Sequence, residues 1–243
     1  MLQAGFWGLV AGFALLVGAV VGLTVPIGQR TIGLVMGFGA GVLISALAFE
    51  LTEEAFRLAG FDAVAVGLAL GAVAFFLADL AVDRRGGGGR KRSSGEQEGG
   101  SAKAIAAGAL LDGVPESIAI GISLVGGGTV GLAVVAAVFL SNVPESLSAA
   151  VGLRKAGHSV GYVLGLWGGV MLVSGLAAAV GCGLLGGVGE DPIATIQAFA
   201  AGAILTMLAD TMMPESFEHG GPAAGLVTVL GFALAFLLTT LEP

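Results

Sequence analysis

Sulfur and imidazole ligands are almost absent from this chain of 243 residues. It has one cysteine, Cys182, and two histidines, His158 and His219. A single cysteine excludes a disulfide within the chain and a thiolate metal cluster. No nucleophile and base pair of the kind that marks an active site is visible in the sequence, and Cys182 lies in an apolar, glycine-rich run. We therefore expect that the protein is not an enzyme.

Charged residues are also scarce. They make up 11% of the chain, whereas 56% of the residues are hydrophobic and 44 residues are glycine. This composition excludes an ordinary soluble domain and predicts an integral membrane protein. Small residues let transmembrane helices approach one another closely. Because the apolar runs lack the alternation of outer-membrane strands, we predict an all-α, polytopic membrane helix bundle.

Eight apolar runs are long enough to span a bilayer. Residues 83–101 interrupt the pattern with glycine, arginine, serine and glutamate, a composition that is typical of a flexible, solvated linker. The chain is thus predicted to form a single transmembrane domain over residues 1–243. The eight runs cover residues 5–25, 31–50, 62–82, 103–125, 129–152, 159–185, 193–217 and 223–241.

Basic residues indicate the orientation, because loops rich in lysine and arginine stay in the cytoplasm. Nine of the ten lie in loops on one side of the predicted bundle, and Arg57 alone lies on the other side. We therefore expect a multi-pass protein of the plasma membrane, with both termini outside and the 83–101 linker inside.

An internal repeat relates residues 40–60 to residues 201–221 at a constant offset of 161. Seven of these 21 positions are identical, and they include the pairs Glu54/Glu215 and Phe56/Phe217. The two copies lie in predicted helices that cross in opposite directions, as the inverted repeats of transporters do. The alternative is chance similarity between two helices rich in alanine, glycine and leucine.

Carboxylates lie inside the fourth and fifth predicted helices, where a charge costs about 3 kcal/mol to insert. Asp112 and Glu116 are four residues apart and share one face of the fourth helix. Ser141 and Glu145 repeat that spacing in the fifth helix, with Asn142 beside them. The sequence therefore predicts that these five residues form one polar site inside the bundle.

A proline precedes the glutamate in both helices. Pro115 and Pro144 cannot donate a backbone hydrogen bond, so each loosens its helix and frees a carbonyl one turn earlier. Freed carbonyls at membrane depth are tolerated where they line a cavity or meet a ligand. A third Pro-Glu pair, Pro214 and Glu215, follows Asp210 in the seventh predicted helix.

The predicted site offers carboxylate, amide and hydroxyl oxygens. These donors suit hard cations such as Mg²⁺, Mn²⁺ and Ca²⁺, whereas imidazole and thiolate favour Zn²⁺. The alternative is that the acids are protonated packing groups or form a proton path. Two further acidic clusters at the helix ends are either openings for cations or solvated ends, namely Glu50, Glu53 and Glu54 on the outer side and Asp210, Glu215, Glu218 and His219 on the inner side.

The chain resembles the ZIP (zinc/iron permease) family of metal transporters in its eight-helix layout, its outside termini and its long cytoplasmic loop. That family carries His-Asn-x-Pro-Glu in the fourth helix and a polar pair followed by x-Pro-Glu in the fifth. The chain departs from it in lacking the intramembrane histidine, an acid in the sixth helix and the histidine-rich loop. On this resemblance Asp112 takes the histidine position, Gly113 the asparagine position and Glu116 that of the glutamate, while Ser141 and Asn142 take the polar pair and Glu145 the second acid.

The resemblance implies a divalent metal cation transporter that imports its substrate through the site formed by Asp112, Glu116, Ser141, Asn142 and Glu145. The ion is left open between zinc, manganese, iron and another metal. The alternative is a metal-binding membrane module or a cation channel without carrier activity. The expected partners are the metal ion and the lipid bilayer, with a homodimer left open and no nucleic acid.

Overall fold

A computed structural model of the chain describes residues 1–95, 102–125 and 132–241. Within these ranges the fold is helical and has no strand. Seven helical stretches in this part of the chain are long and apolar enough to cross a membrane. The chain therefore has the all-α architecture of a multi-pass membrane protein.

The described ranges contain nine α-helices. Short π-helical turns follow three of them, at Leu47–Thr52, Asp83–Gly87 and Leu208–Met212. Residues 96–101 of the predicted linker and 129–131 of the fifth predicted run lie outside the described residues. The helices are α1 (Leu2–Thr24), α2 (Gln29–Ala46), α3 (Glu53–Val82), α4 (Ala102–Ile122), α5 (Leu132–Lys155), α6 (Val160–Leu185), α7 (Glu190–Met207), α8 (Met213–Gly220) and α9 (Ala223–Leu241).

The second and third predicted runs lie in one helical stretch, Gln29–Gly87, so seven stretches are found where eight runs were predicted. Gly60 interrupts the helical backbone of this stretch with φ 73° and ψ −171°. This conformation is open almost exclusively to glycine. A kink at one residue therefore takes the place of the expected connection between the two runs.

Large apolar side chains cover the outside of the bundle, and small residues lie where helices meet. Leu226 and Phe61 are 73% and 71% exposed. A Cβ atom at Gly41 would lie 1.9 Å from the carbonyl oxygen of Thr228, so α2 and α9 can approach this closely only at glycine. An apolar exterior around closely packed small residues is typical of helices in lipid.

The helices pack in two groups. In the first group α1 packs against α5 and α6, and α4 packs against α6. In the second group α2 packs against α9, and α3 packs against α7. The groups meet where α2 contacts α5 and where α4 contacts α7. The two helices that carry the predicted site, α4 and α5, therefore form the boundary between the groups.

Candidate metal centre

All five residues of the predicted site are buried. Asp112 and Glu116 lie on α4, while Ser141, Asn142 and Glu145 lie on α5, and none of them is more than 5% exposed. Pro115 and Pro144 lie inside the same two helices. Each carboxylate is thus held in the interior by the helix that carries it and cannot reach solvent by rotation of its side chain.

Asp112 and Glu145 converge on one cation, the ammonium of Lys91. The Lys91 Nζ atom lies 3.1 Å from Glu145 Oε1 and 3.5 Å from Asp112 Oδ2. Glu116 lies one helical turn from Asp112 on the same face of α4. Glu116 Oε1 is buried and accepts no hydrogen bond from the residues that the structure describes. The three predicted carboxylates therefore meet in one buried region, which holds a positively charged group.

The two uncharged residues of the predicted site use their polar groups for helix packing. The Ser141 hydroxyl donates a hydrogen bond to the Val138 carbonyl at 3.0 Å. The Asn142 side-chain nitrogen donates to the Ala11 carbonyl at 3.1 Å and so ties α5 to α1. In this arrangement the carboxylates carry the site, and Asn142 positions the helix that bears Glu145.

Arg90 binds Asp112 through two parallel hydrogen bonds. Its Nε and Nη2 atoms lie 2.9 and 2.8 Å from the two carboxylate oxygens of Asp112, and Nη2 also lies 2.6 Å from Asp79 Oδ1. Burial acts to lower the pKa of the Arg90 guanidinium, but Asp112 and Asp79 together raise that pKa above its ordinary value. Arg90 is therefore a permanent cation, and such paired geometry is the strongest that an arginine makes with a carboxylate.

A second acidic region lies around Glu215 of α8, at the end of the bundle that was predicted to face inward. Glu215 is fully buried, although a solvated helix end was one of the two alternatives for this cluster. The Ser93 backbone N–H donates to Glu215 Oε1 at 2.9 Å, and Arg92 lies 3.6 Å from the other oxygen while also pairing with Glu218. The ligand atoms of Glu215, Glu218 and His219 lie within 4.8 Å of one another.

The residues that hold these acids belong to the predicted linker. Residues 88–95, which we call the basic segment, include Arg90 and Lys91, which are 4% and 3% exposed, and Ser93, which is fully buried. This burial differs from the solvated loop that the composition predicts. The physical reason is charge pairing, since the buried carboxylates of α4, α5 and α8 need cations close to them.

Sequence reasoning therefore missed three residues of the site, namely Arg90, Lys91 and Ser93. A signal was present in the run Arg90-Lys91-Arg92, because a chain with few charges places three adjacent cations beside a helix that contains a buried acid. Taken alone, this run indicates only the orientation of the bundle. The contacts with Asp112 and Glu215 join residues 22 and 122 positions apart, which no local pattern reveals.

No protein-family model matches this chain, and no curated protein matches it either.

Proposed function

We propose that this chain is a carrier that moves a divalent metal cation inward across the plasma membrane, as a divergent relative of the ZIP transporters. The observation that carries the proposal is the meeting of Asp112 and Glu145, from two proline-containing helices, on a single positive charge. Buried acids at membrane depth are functional by default, because their insertion is costly. A pocket that accommodates an ammonium between two carboxylates also suits a metal ion.

The donor chemistry supports a hard or borderline dication as the substrate. Asp112, Glu116 and Glu145 supply up to six carboxylate oxygens, and the described part of this pocket offers no imidazole and no thiolate. Such oxygen sets suit Mg²⁺, Mn²⁺ and Ca²⁺. Three carboxylates exceed the charge of one dication by one, and Arg90 on Asp112 supplies a further positive charge. With Arg90 displaced, a proton or a second cation would take that role.

Backbone features that match at the offset of 161 support an inverted repeat, and with it a carrier rather than a static site. The offset of 161 maps Gln29–Ala46 onto Glu190–Met207, which are the bounds of α2 and α7. It also maps the π-helical turn that begins at Leu47 onto the one that begins at Leu208. Gly60 and Gly221 are related in the same way, and both have positive φ, 73° and 62°. These shared backbone irregularities support the repeat over chance similarity of composition.

The repeat leads to a transport mechanism. We propose that Gly60 and Gly221 each end one span and begin the next, which divides the chain into eight spans. Since α4 and α5 lie at the boundary between the two helix groups, movement of one group against the other would expose the carboxylates first to one side and then to the other. Alternating access of this kind around a central site is the usual consequence of inverted repeats.

Metal uptake into proteoliposomes tests the proposal. We expect saturable uptake of at least one of Mn²⁺, Zn²⁺, Fe²⁺, Mg²⁺ and Cd²⁺, with loss of uptake in Glu116→Ala and Glu145→Ala. Glu190→Gln is the matched control, because Glu190 is an exposed acid at the start of α7. Metal binding without flux would indicate a binding module instead, and single-channel currents would indicate a pore. Wild-type uptake in either alanine variant would reject that residue as a ligand.

A further inference from the structure

We propose that the basic segment is a tethered plug of the cation pathway, and that its position in the bundle, with Lys91 on Glu145, and the binding of a divalent metal at Glu145 exclude each other. The inference rests on the proposed function and adds a means of regulating the same site. Its basis is that Arg90, Lys91 and Arg92 each pair with a carboxylate that a cation on the pathway would need as a ligand.

The basic segment reaches deep into the bundle. Asp112 lies ten residues after the start of α4, which is about 15 Å along a helix axis. Lys91 reaches this depth with 3% exposure, although lysine is almost never buried unless it is paired. The depth shows that the basic segment occupies the interior and does not merely cover the end of the bundle.

The three cations pair with acids from several helices. Arg90 and Lys91 pair with Asp112, and Lys91 also pairs with Glu145. Arg92 pairs with Glu215 and Glu218 at the inner end. A metal ion that bound any of these acids would compete with the cation that pairs with it.

The backbone of the basic segment is held by side chains from different helices. The Ser148 hydroxyl on α5 donates to the Lys91 carbonyl at 2.7 Å. The Gln29 side-chain nitrogen at the start of α2 donates to the Ser93 carbonyl at 2.9 Å, and Lys155 Nζ at the end of α5 donates to it at 2.8 Å. These contacts define a specific seat for residues 91–93.

Space for Arg90 is made by a glycine of α4. A Cβ atom at Gly108 would lie 2.3 Å from Arg90 Cδ and 2.5 Å from Arg90 Nε. Any larger residue at this position would therefore displace the Arg90 side chain. Gly108 offers a way to unseat the basic segment without removing any charged group.

Competition for Glu145 couples the two events. The Lys91 ammonium and a metal ion cannot both occupy the oxygen that faces Lys91 at 3.1 Å. By linkage, each then weakens the other by the same factor. Without metal, Arg90, Lys91 and Arg92 neutralise the acids of the pathway. Metal binding displaces these cations and frees residues 88–95.

Two readouts test the plug on the purified full chain in detergent. The first is equilibrium binding of Mn²⁺, for which we expect Lys91→Gln to bind about tenfold more tightly than the wild type, within the usual range of coupled binding. The matched control is Lys103→Gln, which removes an exposed lysine at the start of α4 and leaves the affinity unchanged.

The second readout is limited trypsin digestion with mass spectrometry of cleavage after Lys91, a bond that is buried in the seated state. We expect Mn²⁺ to accelerate this cleavage in the wild type and not in Glu145→Gln. We also expect Gly108→Ala to accelerate it without metal, whereas Gly169→Ala, at a position with open space, does not.

The outcomes separate the plug from the carrier. The plug is overturned if Lys91→Gln binds Mn²⁺ with the affinity of the wild type and Mn²⁺ does not change the rate of cleavage after Lys91. This result does not contradict the carrier. Absence of Mn²⁺, Zn²⁺, Fe²⁺, Mg²⁺ and Cd²⁺ binding in both the wild type and Lys91→Gln overturns the carrier, and the plug with it.

Discussion

Glu54 and Glu215 are related by the repeat offset of 161, yet their surroundings differ. Glu54 is exposed and accepts a hydrogen bond from Gln197 of α7 at 2.9 Å. Glu215 is fully buried and contacts Ser93 and Arg92 of the basic segment. Glu54 is therefore contacted by a donor from a neighbouring helix, whereas Glu215 is contacted by the basic segment together with the Ser148 hydroxyl of α5.

One difference at the offset of 161 accompanies this contrast. The position related to Gln197 by the offset is Met36, which is fully buried and cannot donate a hydrogen bond. Glu215 therefore lacks the glutamine that Glu54 has, and Ser93 donates to it instead. A donor on a helix thus contacts Glu54, whereas a donor from residues 88–95 contacts Glu215.

The largest expected effect is that of Arg90→Ala, and Arg57→Ala, near Glu54 in the sequence, is the comparison. Arg90→Ala leaves Asp112, which is 1% exposed, without its two hydrogen bonds, and we expect the free energy of unfolding to fall by about 3–5 kcal/mol. Arg57→Ala breaks an exposed pair with Glu53 and should cost less than about 1 kcal/mol. Denaturant unfolding in detergent measures both values, and equal losses would remove the contrast between the two ends.

Glu215 and Glu54 allow a direct comparison with the same substitution. Glu215→Gln weakens the hydrogen bonds from Ser93 and the ion pair with Arg92, so we expect a loss of about 3 kcal/mol. Glu54→Gln should cost less than about 1 kcal/mol, because Glu54 is exposed and a glutamine oxygen still accepts from Gln197. Unfolding measurements and trypsin cleavage after Lys91 report on each variant, and protection of Lys91 in Glu215→Gln would contradict the seat described for Ser93.

Periodicity and composition predicted those parts of the structure that depend on neighbouring residues. The apolar helices, the prolines inside α4 and α5 and the closely packed glycines follow from local pattern and from the physics of lipid. The merging of two predicted runs at Gly60 was not predicted, because one glycine inside a long apolar stretch does not show whether the chain forms a loop or a kink.

The candidate site depended on information that a local pattern lacks. Burial of Asp112, Glu116 and Glu145 was expected, but the basic segment was not, since glycine and serine around Arg90 and Lys91 indicate a linker when taken alone. The orientation of Asn142 toward Ala11 could not be predicted either. Helices that are apolar on all sides carry no periodic signal that tells one face from another.

The smallest expected effect tests whether the two ends share one backbone design. Gly60 and Gly221 both have positive φ with extended ψ, −171° and −153°, and neither position has an atom within 4 Å of an added Cβ. Substitution by alanine therefore costs only conformational strain, and we expect Gly60→Ala and Gly221→Ala each to lower the free energy of unfolding by about 2 kcal/mol. Gly169→Ala, in open space on a regular helix, should change it by less than about 1 kcal/mol in the stabilising direction. Equal costs at Gly60 and Gly221 support one turn used twice, so that the two ends share the same backbone at these glycines. If the free energy of unfolding falls for only one of the two glycine variants, the two ends differ in backbone as well. The contrast between Glu54 and Glu215 would then no longer isolate the contribution of Ser93 and Arg92.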